Sequence, residues 1–338
     1  MTQSGNNFTA LRWLGALMVL VGHAFIFLGL PEPVVLGWAP LGPIGVYIFF
    51  SISGYLVAQS WDRDPHVGRF LMRRAWRIFP GLWVCILLSA YVLGPLVTQI
   101  PLKDYWLHPQ TKGYLSNLYL YISYALPGVF SDNKYPHTVN GSLWSLPVEF
   151  MMYLLMAMLL WLRPSRQTSL AVGALAVLMA VGWALQRSEM FVFYRSDMRL
   201  LFICGAYFWG GVLIHQWQAH VRMTGPALLG LGGLWLLLSP WPALFVLSSY
   251  LALPVLIIGV GEKSWPGLRQ LNAHDYSYGV YIYAFPVQQT VVHLFPAMGL
   301  VAYLAVTIAV TFLLAKFSWQ FIERPGLRFK PKVPLVMS

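Results

Sequence analysis

Charged side chains are what this sequence has least of. Only 10% of its 338 residues are Asp, Glu, Lys or Arg, and 11 are acidic. A soluble globular chain carries roughly a quarter charged residues, so a water-solvated fold of this length is excluded. Cysteine is almost missing as well. The two thiols, Cys85 and Cys204, fall inside apolar runs, which argues for buried free thiols and against a disulfide or a metal pair; no metal site is expected. No internal repeat and no low-complexity tract is visible. Residues 1–9 carry no charge, and the apolar run after them ends without a small-residue cleavage site. That run is expected to be a retained helix rather than a signal peptide.

What the chain has instead is apolar length. Hydrophobic residues make up 58% of it, with 15 Trp, 18 Tyr and 20 Phe, a composition suited to interfacial aromatic belts around a helical bundle. Apolar runs near the length of a membrane-spanning helix recur over residues 10–30, 41–60, 80–100, 142–162, 168–186, 198–216, 225–240, 243–261, 276–295 and 298–322. The seventh is the weakest, ending at the breaker Ser239-Pro240-Trp241-Pro242. The expected fold is all-α, a polytopic membrane protein of about ten transmembrane helices. It reads as a single domain over 1–338, with a bundle over 10–322 and a cytoplasmic tail over 323–338. The one long connection, 101–141, mixes polar, aromatic, Pro and Gly residues.

The net charge is +11. Its distribution points to membrane topology rather than to nucleic acid. Ten spans place both termini on one side, together with 61–79, 163–167, 217–224 and 262–275. That side carries fourteen basic residues, among them Arg63, Arg69, Arg73, Arg74, Arg77, Arg163, Arg166, Arg222 and Arg269. The other carries six: Lys103, Lys112, Lys134, Arg187, Arg195 and Arg199. Basic residues resist translocation, so both termini are expected in the cytoplasm and 101–141 outside.

Ionisable groups within the bilayer are costly and face a partner or a watery cavity. Arg12 lies at the start of the first span and His23 eleven residues later. Eleven residues return to within about 20° of the same helix face after a rise of about 16 Å. One face of that helix therefore presents a cation near the cytoplasmic mouth and an imidazole near mid-membrane. A snorkelling Arg and a structural His are the plain alternative. Glu149 ends the segment Asn140-Gly-Ser-Leu-Trp-Ser-Leu-Pro-Val-Glu149, where Pro147 frees a carbonyl and Ser142 and Ser145 can satisfy such groups. The carboxylate could tune an imidazole, hold a hydroxyl, or form a structural ion pair. Arg74 and Arg77, three apart, share a helix face and suit phosphate oxygens through bidentate guanidinium contacts. A topogenic cluster on anionic lipid is the alternative.

Six segments in order resemble membrane-bound acyltransferase family 3. They are Phe8-Thr-Ala-Leu-Arg12 with His23, Gly45-Val-Tyr-Ile-Phe-Phe-Ser-Ile-Ser-Gly54, Arg74-Ala-Trp-Arg77-Ile-Phe-Pro80, Asn140 to Glu149, Asp275-Tyr-Ser-Tyr278-Gly-Val-Tyr281 running to Gln289, and Phe321-Ile-Glu323-Arg324-Pro325. The resemblance implies ten core helices and acyl transfer, commonly from acyl-CoA, to a hydroxyl of a saccharide or lipid-linked saccharide. Acetyl-CoA is the implied co-substrate, with no bound cofactor. The family's Arg–His pair maps onto Arg12 and His23. Its donor-handling arginines map onto Arg74 and Arg77, with Arg73 beside them, and its acidic residue onto Glu149. Asn140, Ser142, Trp144, Tyr278 and Tyr281 are candidates for lining the pocket or meeting the acceptor. Phe150 stands where many relatives carry a second acidic or polar residue. The hydrolase-like domain that follows the bundle in some relatives is expected to be absent.

The chemistry needs a base, because an alcohol attacks a thioester slowly at neutral pH. Imidazole titrates near the working pH, so His23 is the candidate base or acyl relay. A secondary transporter, which also carries mid-membrane His and Glu, is the alternative from another class, although such folds often show inverted repeats. The acyl group, the acceptor and the oligomeric state are not specified by the sequence.

Overall fold

A computed structural model describes residues 5–161, 166–186, 191–220 and 223–332. Arg163, Arg187 and Arg222 of the charge tally and the last six residues of the tail lie outside the described residues. Most of the described residues are helical, and the described strands form two pairs of two-residue strands.

Ten helices correspond to the ten apolar runs. They are α1 Phe8–Phe27, α2 Leu41–Arg63, α3 Val67–Leu88, α4 Ser145–Trp161, α5 Arg166–Gln186, α6 Met198–Trp217, α7 Gly225–Leu237, α8 Pro242–Gly261, α9 Ser277–Leu294 and α10 Leu300–Ser318. Among the described residues, seven segments are long and apolar enough to cross a bilayer, and α5 and α7 supply shorter apolar helices. The remaining one, α9, is interrupted by Tyr, Gln and Pro, yet all but a few of its residues are buried. It is a central helix whose polar groups face protein rather than lipid.

One boundary differs from the hydropathy reading. Helix α3 begins at Val67 rather than near residue 80, because a helix rich in Arg continues as a helix once it leaves the apolar layer. His66 caps it by accepting the Arg69 N–H at 3.3 Å. Pro80 consequently sits within the helix. Beyond Leu88 the helix widens into a π-type turn over Ser89–Leu93 and closes at Gly94–Val97.

The ends of the helices sort into two sets. At one end Asn7 N–H donates to Gly261 O at 2.7 Å and Ala10 N–H to Asn272 Oδ1 at 2.9 Å, joining the start of α1 to the end of α8 and the approach to α9. His215 at the end of α6 meets Asp62 near the end of α2 at 2.8 Å. Helix α3 begins at this end too, and its Trp76 meets Phe329 with ring centroids 5.4 Å apart, so the first and last described segments share this end with the Arg-rich turn. At the far end lies 101–141, which is ordered. Two short helices, Leu102–Leu107 and Pro109–Tyr114, lead into a stretch that docks on α1 and α9. Lys134 Nζ donates to Leu28 O at 2.6 Å, and Gln289 Nε2 to Tyr135 O and Thr138 O at 2.7 and 2.8 Å.

Helices α2 and α6 touch backbone to backbone. A Cβ at Gly54 would overlap Phe208 O, and one at Gly211 would overlap Ser51 O. Small residues are how helices in lipid approach this closely. Cys85 and Cys204 are buried free thiols.

Candidate active site

Asp275, just ahead of α9, ties three helices together. Its Oδ2 accepts from Arg12 Nη1 of α1 at 2.8 Å and from Arg77 Nη2 of α3 at 2.6 Å. Its Oδ1 accepts from Ser277 Oγ at 2.5 Å. Burial alone would raise the Asp275 pKa, but Arg77 and Arg12 outweigh it and hold the carboxyl well below the usual carboxylate range. The group is therefore a fixed anion, shared by two guanidinium groups that keep their remaining N–H groups for other partners.

Those two arginines open onto a cavity of about 810 Å³, its solvent-open part included, which Arg74, Glu149, Tyr153, Tyr278 and Tyr281 also line. Glu149 Oε1 accepts from Ser53 Oγ at 2.8 Å and from Tyr153 OH at 2.5 Å, with Ser53 and Tyr153 in contact at 2.9 Å. Tyr153 is one helical turn after Glu149, the spacing that puts two side chains on one face. Arg74 contributes a buried Nε with no hydrogen-bond partner among the described residues. The Tyr281 hydroxyl meets Ser145 Oγ at 2.6 Å and Ser142 O at 3.0 Å, and Tyr278 OH donates to Ile78 O at 2.7 Å. The walls between these groups are apolar: Val46, Phe49, Phe50, Leu56 and Leu146. Three guanidinium groups against two carboxylates, Glu149 in the wall and Asp275 behind Arg12 and Arg77, leave a net positive charge among apolar walls, and charges in a low-dielectric setting interact strongly, so the site attracts anions.

Of the sequence candidates, Arg12, Arg74, Arg77, Glu149, Tyr278 and Tyr281 line this cavity. The others are placed elsewhere. Arg73 turns away and donates to Asp64 Oδ2 at 2.6 Å, while Arg69 grips the same carboxylate at 2.6 Å. Arg69, through its hydrogen bonds, and Arg73 hold the Asp64 carboxyl well below the usual range against the upward push of burial. This clasp fastens the α2–α3 turn. Asn140 caps the turn before α4 by accepting Ser142 N–H at 3.2 Å, and its Nδ2 donates to Ile282 O at 2.8 Å. Ile282 O is the carbonyl that Pro286, four residues on, has no N–H to satisfy. Cys85 Sγ reaches the same oxygen at 3.4 Å. Trp144 faces a different cleft.

His23 does not line the cavity. Its ring lies against Phe285 and Phe27, with centroids 5.1 and 6.0 Å away, and its Nδ1 is buried without a partner among the described residues. Even so, Arg12 and His23 present the same face of α1, since Arg12 meets Asp275 just ahead of α9 and His23 meets Phe285 within α9. Of the polar side chains of the site, Ser53, Tyr153 and Ser277 line the cavity and Asp275 stands behind Arg12 and Arg77; none of the four was singled out from sequence. Asp275 and Ser53 stand inside quoted segments. In a chain with 11 acidic residues, an Asp at the edge of a span was itself a signal.

Comparison with known proteins bears on this geometry. The family model for the acyltransferase 3 domain matches residues 6–316. An O-acetyl transferase of Shigella phage Sf6 is 29% identical over 338 residues, 98% of each chain. Nodulation protein 10 of Rhizobium leguminosarum bv. viciae is 30% identical, covering 96% of this chain and 94% of its own. The peptidoglycan O-acetyltransferase OatA of Listeria monocytogenes is 24% identical over 85% of this chain and 52% of its own. No solved structure matches. With the matched region spanning nearly all of a multi-helix membrane bundle, the chain belongs to the acyltransferase 3 family and is a multi-pass membrane acyltransferase.

Proposed function

We propose that this protein moves an acyl group, acetyl in the first instance, from acyl-CoA to a hydroxyl of a saccharide or lipid-linked saccharide. The observation that carries the reading is the cavity at the terminus-bearing end of the bundle, where Arg12, Arg74 and Arg77 converge on apolar walls beside Glu149. Arg74 and Arg77 suit the phosphates of CoA, and the apolar walls suit its acyl-bearing arm. The names of the relatives support acetyl as the group and a glycan as the acceptor. In this reading the basic end, with both termini, faces the cytoplasm, where acyl-CoA is made, and the membrane is the inner one.

His23 then supplies the chemistry. As general base it takes the proton from the acceptor hydroxyl while the hydroxyl oxygen attacks the thioester carbonyl, and the CoA thiolate departs. As acyl relay it carries the acyl group on the imidazole between two such attacks. Arg12 fixes the donor end of the α1 face and Glu149 organises polar groups opposite it. The test is direct. Purified protein given labelled acetyl-CoA and surface glycan from the native cells, de-esterified with mild alkali, is expected to release CoA and label the glycan. Absence of labelled glycan would overturn the reading. Label trapped on residue 23 without acceptor marks the relay, whereas an unlabelled, active enzyme marks direct attack.

A further inference from the structure

A second cleft opens at the far end of the bundle, and it shares a wall with the first. Residues 122–125 from the long connection, Trp144 from the turn before α4, and Arg195, Ser196, Asp197 and Leu200 around the start of α6 line it. The turn Gly141–Trp144 is the partition. Trp144 opens on the far cleft and Ser145, the next residue, on the cationic cavity. Successive Cα atoms are about 3.8 Å apart, so one turn of chain divides the two spaces. Asn140 holds that turn against α9 through Ile282 O.

The far cleft is furnished differently from the cavity. The rings of Tyr124 and Trp144 line it, and the Arg195 guanidinium in its wall lies 4.4 Å over the Tyr121 ring behind it. Arg195 spends one hydrogen bond on Ile122 O, at 3.3 Å. Its other N–H groups, Trp144 Nε1, Tyr124 OH and Ser123 Oγ make no hydrogen bond within the described residues. Asp197 is neutralised by Arg199 at 2.6 Å. Ring faces with unengaged hydrogen-bonding groups around them match a pyranose, whose C–H face packs on an aromatic and whose hydroxyls both donate and accept. They do not match an acyl chain, which would leave those groups unsatisfied.

We propose that this cleft is the docking site of the saccharide acceptor, with Trp144, Tyr124 and Arg195 as its contacts, and that the 141–145 turn is the wall across which acceptor and donor sites communicate. The inference rests on the acyltransferase reading above. It assigns the two substrates to opposite ends of the bundle, so that neither has to pass the other.

The experiment uses the full-length protein in lipid nanodiscs, acetyl-CoA, and the alkali-de-esterified surface glycan. Trp144→Ala and Arg195→Gln are each expected to raise the KM for glycan about tenfold or more, by a larger factor than the KM for acetyl-CoA. They should also shift the partition of acetyl groups from glycan toward water. Trp144→Phe, which keeps a ring face, should recover most of the loss. Wild type that fails to label glycan overturns the acyltransferase reading itself. Wild type that labels glycan while both variants keep a wild-type glycan KM overturns the cleft assignment alone, as does a change confined to the KM for acetyl-CoA. Should Trp144→Ala fail to fold, the glycan KM of Arg195→Gln decides the assignment by itself: a rise supports it and a wild-type value overturns it.

Discussion

Phe285 stands edge-on to the His23 imidazole, with ring centroids 5.1 Å apart and planes at 77°. It follows Tyr281, which lines the cationic cavity, by one turn of α9. His23 thus sits one aromatic layer beyond the cavity, and its Nδ1 makes no hydrogen bond among the described residues. His23→Ala is therefore expected to leave a folded, membrane-inserted protein while transfer falls by a factor on the order of 10² or more, the scale of a lost general base. Wild-type turnover in that variant would return His23 to a packing role.

Asp275→Asn should separate positioning from folding at the arginine pair. The neutral amide no longer balances Arg12 and Arg77, and loss of a charge-assisted hydrogen bond of about 1.4 kcal/mol corresponds to about tenfold in affinity. The KM for acetyl-CoA is expected to move by about that factor, with Asp275→Glu closer to wild type. The sign of its pH dependence also follows. A depressed pKa means that the stability lent by the ion pairs is present above the ordinary carboxylate range and is lost only as pH falls through the lowered value. An acid limb in the activity profile between about pH 5 and 8 would therefore persist in Asp275→Asn.

Glu149→Gln tests the carboxylate at near-constant shape. The amide oxygen can still accept from Ser53 or Tyr153, but the negative charge beside Arg74 is gone. Expression and thermal midpoint should change little, while transfer should fall by up to about 10², the penalty for displaced reacting groups. A fully active variant would reduce Glu149 to a hydrogen-bond acceptor in the wall.

Cysteine labelling should read the two ends of the bundle. Cys85 and Cys204 are buried and give little background. Asp104→Cys is expected to react with an impermeant maleimide on intact cells, and His66→Cys only after permeabilisation. The reverse pattern would invert the topology.

Much of the fold was legible because a bilayer enforces it: the apolar runs had to be helices, and each of the ten is one. The shared face of Arg12 and His23 was legible from helical geometry alone: Arg12 meets Asp275 just ahead of α9 and His23 meets Phe285 within it. The start of α3 was not, since hydropathy follows lipid contact and a helix that projects beyond lipid gives no such signal. The partners of Asp275 and Asn140 were not legible either. Arg12 and Asp275 are 263 residues apart in sequence, and Asn140 and Ile282 are 142 apart. No local pattern encodes such pairings. Asn140 illustrates the difference: read as a candidate for the acceptor, it is found satisfying a carbonyl that a proline in another helix leaves bare.

The polarity of α9 has a consequence for how the protein is made. Gln288 Nε2 donates to Leu20 O at 2.8 Å and Asn133 Nδ2 to Gln289 Oε1 at 2.8 Å, so this helix depends on α1 and on the long connection to hide its amides. Eight of the ten helices precede it in the chain, so α9 is expected to insert against neighbours already made rather than as an independent span handed to lipid. An isolated α9 fused between glycosylation reporters should fail to stay across the membrane, whereas the same helix behind residues 1–276 should remain in place.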